Sequence, residues 1–257
     1  DGKGGAGNGM DLLMRMKQWS FKEAATAVEE HLGIPKRISK KPIKPPIDAP
    51  RPELEGAVSQ WCYTDAAGDP LFWIQRVNLK DDKKLFRPRT WVQGIGWQGD
   101  KGTAWSTPRP LYNLCAIAAR PDAGVLVCEG EKAADHAAEL FPKLVVVTWP
   151  NGAQSVGKVD WSPLSGRNIM FWPDNDDEGR AAMQKAAALI GGDGKRFIIP
   201  PPDGAPDKWD IADSNWTSAQ ALKYITQHKQ KLQPDSVAEL VEVQPGEPRQ
   251  RKKASGH

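Results

Sequence analysis

Glu129, Asp174 and Asp176 are the side chains of this 257-residue chain whose types and spacing can do chemistry. Glu129 ends the apolar run Val125-Leu-Val-Cys128, and Asp174 and Asp176 follow the run Ile169-Met-Phe-Trp-Pro173. A helical pattern begins directly after each, which predicts three carboxylates at the ends of two strands. Parallel strands joined by helices carry their carboxyl ends to one edge of a sheet, where ligand crevices open. Mg2+ takes oxygen ligands, usually one or two carboxylates with water and substrate phosphates, so a sparse acidic cluster suits it. Mn2+ accepts the same donors. The implied use is phosphate chemistry, with Lys132 and Arg180 near enough in sequence to reach phosphate oxygens.

Plainer readings stand beside this one. Asp174-Asn-Asp-Asp-Glu-Gly179 looks like the start of an EF-hand calcium loop, but the twelfth position is Lys185, where a bidentate Glu is needed. A strand pattern precedes it, where that motif has a helix. An acidic turn at a helix N-terminus accounts for Asp174 and Asp176 taken alone, since Asp and Glu favour that place. It leaves Glu129 unexplained. His31, His136 and His228 have no ligand-like spacing, no serine or cysteine nucleophile motif occurs, and the absence of G-x-x-x-x-G-K-[ST] excludes a P-loop motor in this segment.

The elements that must position these residues follow from periodicity. Strands are predicted over 124–128, 144–149, 168–172 and 195–200, with helices over 111–119, 131–141 and 178–190. The fold class is therefore α/β, a mostly parallel sheet with flanking helices. Met183, Ala186, Ala187 and Ile190 share one face of the helix after Asp176, as a helix lying on a sheet requires. Thr217-Ser-Ala-Gln220 is a capping box opening a last helix to about Lys229.

Upstream, 58–63, 71–77 and 85–92 read as strands around turns at Ala67–Pro70 and Asp81-Asp82, a small antiparallel sheet. Its third strand, Lys84-Leu-Phe-Arg-Pro-Arg-Thr-Trp91, interleaves cations with aromatics, as phosphate contact and base stacking demand. A solvated hairpin with inward tryptophans is the plainer account. Residues 10–33 hold two helical stretches, the second opened by the capping box Ser20-Phe-Lys-Glu23 and closed by Gly33 before Pro35. Six prolines among six cations make 34–55 an expected extended linker.

Composition sets the frame. With 39% hydrophobic residues the chain can bury a sizeable core. Cys62, Cys115 and Cys128 offer neither a C-x-x-C site nor an even disulfide set, so a reducing cytoplasm is expected. No apolar run is long enough for a bilayer, and the expected partners include no membrane. The net charge of +3 conceals an asymmetry: residues 1–110 carry 18 basic and 13 acidic groups, and residues 111–245 carry 13 and 18. Basic segments attract a polyphosphate backbone, while an acidic site needs cations before phosphates approach it. The opening without methionine reads as a fragment with a further segment upstream.

The motifs together resemble the Toprim domain shared by bacterial DNA primases, topoisomerases and some nucleases. Glu129-Gly130, Asn151-Gly152 and Asp174-Asn-Asp-Asp-Glu-Gly179 carry the resemblance. EGEKAAD, WPDNDDEGR and KWDIAD are most similar to primases of phages and mobile elements, over about residues 111–230. The resemblance implies catalytic and metal-binding roles for Glu129, Asp174 and Asp176, with Asp210 supporting a second metal or its water shell. A helix-opening loop is the plainer reading of Asp210.

It also implies that Lys84, Arg87 and Arg89 belong to a basic β-rich subdomain that helps hold template and nucleotides. Residues 10–30 resemble the segment after the last zinc ligands of a primase zinc ribbon, so zinc is expected only in a module upstream.

The expected division is a helical remnant at 1–33, a linker at 34–55, the basic subdomain at 56–110, the Toprim-like domain at 111–232 and a disordered basic tail at 233–257. The implied activity is template-directed synthesis of short RNA primers by Mg2+-dependent nucleotidyl transfer. Its partners are single-stranded DNA, ribonucleoside triphosphates and a replicative helicase in cis or trans. A Toprim-type nuclease and a non-catalytic nucleic-acid-binding module are the alternatives. A topoisomerase would need a gate and a tyrosine domain, and Tyr63, Tyr112 and Tyr224 stand in unsuitable places.

Overall fold

The computed structural model describes residues 9–32, 41–81, 83–99 and 105–232, in two compact units that divide after Lys40. The first holds α1 (Gly9–Lys17) and α2 (Phe21–His31). The Glu23 N–H donates to Ser20 Oγ at 3.3 Å and the Ser20 N–H donates to Glu23 Oε2 at 2.7 Å. These reciprocal bonds satisfy donors that a first helical turn leaves unpaired, as the capping box predicts. Gly33 lies outside the described residues.

The second unit opens with an antiparallel sheet of β1 (Ser59–Thr64), β2 (Pro70–Asn78), β3 (Lys84–Val92) and β4 (Gly96–Gln98), in that order. β4 is too short for an alternation signal; Trp97 on it meets Trp91 edge to face at 5.3 Å. Across β2 and β3, Phe72 pairs with Thr90, Ile74 with Pro88, Arg76 with Phe86 and Asn78 with Lys84. Alternation puts all eight on one face. Trp61, Tyr63, Phe72 and Ile74 build a core on that face.

The opposite face carries Trp73, Gln75, Arg87 and Arg89, and the expected linker is laid on it. Ile43 N–H donates to Trp91 O at 2.9 Å, Trp97 Nε1 to Pro50 O at 2.6 Å and Gln75 Nε2 to Glu53 O at 2.6 Å. Prolines lack a donor but keep their carbonyl, so at Pro50 and Glu53 the sheet supplies donors that the segment accepts, while at Ile43 the segment donates to the sheet. The linker reading is thereby corrected for 41–55; residues 33–40 lie outside the described residues.

The second sheet has the order β6-β5-β7-β8-β9, from β5 (Val125–Cys128), β6 (Val145–Val147), β7 (Ile169–Trp172), β8 (Arg196–Ile198) and β9 (Gln230–Lys231). Four strands are parallel and β9 is an antiparallel edge. Every residue of β5 and β6 is buried, the signature of parallel strands covered on both faces. Val125, Val127, Ile169 and Phe171 pack with Met183, Ala186 and Ala187 of α5 (Asp177–Leu189). Leu126, Cys128 and Trp172 pack with α4 (Glu131–Leu140) and α6 (Ser218–His228).

Two expectations need adjustment. The helix expected over 111–119, α3 (Leu114–Ala119), begins only at Leu114, because Asn113 has φ +62, outside the helical region. β9 was not anticipated, since two residues carry no period. Residues 233–257 lie outside the described residues. Among those described, no helix is long and apolar enough to cross a membrane.

Candidate active site

The acidic edge is assembled by turns at strand ends. Glu129 directly follows β5, and Gly130, at φ +94, turns the chain into α4 with a conformation open mainly to glycine. The Gly130 N–H donates to Thr148 Oγ1 at 2.9 Å, tying this turn to the chain just past β6. Asp174 lies two residues beyond β7. Asn175 Nδ2 donates to Ala205 O at 2.8 Å and Pro206 O at 3.0 Å, and the Asn175 N–H donates to Trp209 O at 2.9 Å. These bonds draw the 205–209 loop to the strand end and bring Asp210 to the same edge.

Above this edge the antiparallel sheet forms the second wall of a cleft of about 530 Å³. Glu129, Asp174, Asp210 and Asp213 line one wall, and Trp61, Arg76, Lys84 and Phe86 the other, with Lys132 and Lys208 also lining the cavity. Three bonds hold the walls in place. Tyr63 OH donates to Glu131 Oε1 at 2.7 Å, Trp61 Nε1 to Asp135 Oδ2 at 2.8 Å and Tyr112 OH to Asp135 Oδ1 at 2.9 Å. Tyr63 is fully buried and Glu131 only 5% exposed, so this pairing is shielded from competing water.

Burial, together with the neighbouring Asp176 and Glu178 carboxylates, pushes the Glu129 carboxyl up to about 7; the Ala153 N–H opposes this by hydrogen bonding to the charged form. Burial and then Glu129, Asp210, Asp176 and Asp213 push Asp174 up to about 8. Asp210 is raised by burial against the pull of Lys132. Burial opposes ionisation of Asp213 too, but the Asp210 N–H and Lys132, 3.2 Å away, take it below the ordinary range.

Carboxylates crowded out of water repel one another, and a bound cation is one way to offset that repulsion. Glu129 Oε2 is buried with no hydrogen-bond partner. Among the described residues no three Asp, Glu, His or Cys side chains stand close enough to hold a metal by themselves. The donor set fits Mg2+, which needs one or two carboxylates when phosphate and water complete its shell, and does not fit a cation that demands an all-protein cage.

The sequence-predicted residues separate clearly. Glu129, Asp174, Asp210, Lys84 and Lys132 line the cleft. Asp176 belongs to the same edge but caps α5, accepting from the Gly179 N–H at 2.6 Å. Arg180 does not line the cleft; it reaches Asp177 at 2.8 Å and Asn175 at 3.4 Å. Arg87 and Arg89 are not brought together with Lys84. Odd spacing along a strand puts them on the opposite face, where Arg89 grips Glu55 through two bonds of 2.9 and 2.6 Å.

Sequence reasoning missed Arg76, Phe86, Glu131, Asp135 and Asn175. Phe86 was accessible to it, two residues from Lys84 on the same strand face. Glu131 and Asp135, four apart on α4, were within EGEKAAD but need a partner sheet to have a role. Gly179 belongs to the acidic motif for a steric reason. A Cβ there would stand 2.8 Å from Glu129 Oε2, so this glycine lets α5 approach the acidic edge.

No protein-family model matches the sequence, and no curated protein does. Among solved structures the chain is similar to the Aquifex aeolicus primase, zinc-binding and RNA polymerase domains, at 16% identity and a TM-score of 0.48, covering 83% of this chain and 50% of that one. A DNA primase domain from Pseudomonas aeruginosa matches at 18% and 0.46, covering 67% and 51%. The primase fragment of the bacteriophage T7 primase-helicase matches at 19% and 0.45, covering 65% and 60%. The chain thus spans about half to three fifths of the length of these proteins.

Proposed function

We propose that this chain is the catalytic core of a Toprim-type DNA primase, joining ribonucleotides on a single-stranded DNA template by Mg2+-dependent nucleotidyl transfer. The observation that carries the reading is the cleft with an acidic wall opposite a cationic, aromatic one, built from the same residues whose wording resembles primase motifs. Asp174 and Asp210 are the residues that would hold Mg2+. Bound there, the ion supplies neutralisation of charge on the reacting phosphates.

The chain's own groups do the rest. Lys84, Lys132, Lys208 and Arg76 attract phosphate oxygens from around the acidic edge. Glu129, whose Oε2 is buried with no hydrogen-bond partner, accepts the proton of an attacking hydroxyl. The Tyr63–Glu131 and Trp61–Asp135 bonds keep the two walls at fixed separation, so that bound groups meet in one pose.

The decisive assay incubates the chain with single-stranded DNA, labelled ribonucleotides and Mg2+. New short oligomers support the proposal. A shortened template assigns the site to a nuclease, and binding without either product assigns it to a non-catalytic module.

The two strand faces give a separable prediction. Lys84→Ala is expected to weaken single-strand binding and to take roughly 0.7 from the slope of log affinity against log salt, with the melting temperature nearly unchanged. Arg89→Ala is expected to leave that slope alone and to lower stability by roughly 1–2 kcal/mol, because Arg89 is buried against Glu55. Salt-series binding and thermal melts on both variants check it; equal slope changes would return both residues to one binding strip.

A further inference from the structure

We propose that Phe86 is a nucleobase-stacking platform, forming with its cross-strand partner Arg76 a binding subsite of the cleft; this rests on the nucleotide-joining reading above. The argument starts from the sheet register. Along the inner face of β2 and β3, the rungs Phe72–Thr90 and Ile74–Pro88 are occupied by core, with Phe72 and Ile74 at 2% and 1% exposure. The next rung is Arg76–Phe86, and there the face leaves the core and becomes cleft wall. Phe86 is 43% exposed. Lone surface aromatics are common and need no explanation. This one lies in a concave site, on the wall opposite Glu129 and Asp174, with Trp61 lining the same cavity.

The distribution of chemistry matches the parts of a nucleotide. Carboxylates on one wall face the metal and phosphates, Lys84, Lys132 and Lys208 provide the cations, and an apolar ring remains where neither charge nor core packing calls for one. Every nucleobase has a π-face, so an exposed ring binds bases with little regard to sequence. Arg76 Nε donates to Asn78 Oδ1 at 3.2 Å, an arrangement that orients its guanidinium on the same face as the ring. A cation beside an aromatic suits a phosphate attached to a stacked base.

The base belongs either to an incoming nucleoside triphosphate or to the single strand, and the same variants distinguish them. Phe86→Ala and Phe86→Trp are compared with the parent chain for affinity in Mg2+ toward ATP, inorganic tripolyphosphate, an oligodeoxythymidylate and an abasic oligonucleotide of equal length. Phe86→Ala is expected to weaken a base-bearing ligand by about tenfold or more and to leave its base-free counterpart unchanged, whereas Phe86→Trp retains or improves binding. Loss confined to ATP assigns the platform to the nucleotide; loss confined to the thymidylate assigns it to the strand.

Equal affinities of Phe86→Ala and parent for all four ligands, or equal losses with and without the base, overturn the platform while leaving the wider reading intact. If the parent chain binds none of the four, the nucleotide-joining reading itself falls.

Discussion

Asp174→Asn is expected to lower Mg2+-dependent nucleotide incorporation by roughly a hundredfold or more, the scale on which removal of one charge-stabilising group acts, while making the metal-free protein more stable. The second half follows from the site's electrostatics. Burial first, then Glu129, Asp210, Asp176 and Asp213, raise the Asp174 carboxyl to about 8. A group that holds its proton more tightly when folded contributes stability that is complete below its unfolded value, near 4, and lost as pH rises through the folded value.

The metal-free parent should therefore lose stability between about pH 4 and pH 8, and Glu129, raised to about 7, adds to the same window. The asparagine variant removes one of these ionisations. At pH 8 it should be more stable by roughly 1–3 kcal/mol, a shift of several degrees in melting temperature for a chain of this size. Millimolar Mg2+ should reverse the order, since a ligand bound only to the native parent stabilises it in proportion to the logarithm of its concentration. Melting curves across pH with and without Mg2+, beside incorporation assays, test all three parts. Undiminished incorporation in the variant removes Asp174 from the site, and a less stable metal-free variant shows that the carboxylates are not under repulsive strain.

The sheet was legible because its signal is redundant. β5 is apolar at every position and ends abruptly in Glu129, and α5 repeats its buried residues at helical spacing. Glu129, Asp174 and Asp210 are joined by sheet topology, which the alternation of strands and helices implies. The basic strip divides between two strand faces for a physical reason that the sequence contains. Lys84, Arg87 and Arg89 share one strand, but a strand shows successive residues to opposite faces.

The proline-rich segment was harder. Its composition does exclude helix and ladder, but a chain without regular hydrogen bonds still offers carbonyls that accept from a neighbour, as the bonds from Trp97 and Gln75 show. Asp176 carried two compatible signals, carboxylate at a strand end and cap of a helix, and its side chain makes the cap bond to Gly179. Contacts such as Tyr63 to Glu131, separated by 68 residues, leave no local trace at all.

Gly179→Ala sets a local preference against the site. Glycine in a helix is about 1 kcal/mol less favourable than alanine, so helix propensity alone predicts stabilisation. The site predicts the reverse. A Cβ at 179 would meet Glu129 Oε2 at 2.8 Å, Asp174 O at 3.0 Å and Asp174 N at 3.1 Å. The carboxylate is able to swing aside, but the backbone is not free to do so, because the Asp176 N–H donates to Asp174 O at 2.8 Å and Asn175 is tied to the 205–209 loop. Either α5 withdraws or the Asp174 turn shifts, and both change the spacing of Glu129 and Asp174.

Overpacking of this kind costs about 1–3 kcal/mol, enough to exceed the propensity gain, and a displacement near 1 Å in a catalytic array lowers rate by roughly a hundredfold. The expected result is a folded variant with slightly lower melting temperature, weakened Mg2+ affinity and severely reduced incorporation. A double-mutant cycle with Glu129→Ala locates the clash. If the carboxylate is the obstacle, Gly179→Ala becomes stabilising once Glu129 is shortened; if the Asp174 backbone is, the loss persists in both backgrounds. A Gly179→Ala chain that is more stable than the parent, binds Mg2+ equally well and works at the parent's rate would mean that the close approach of α5 to Glu129 has no part in building the site.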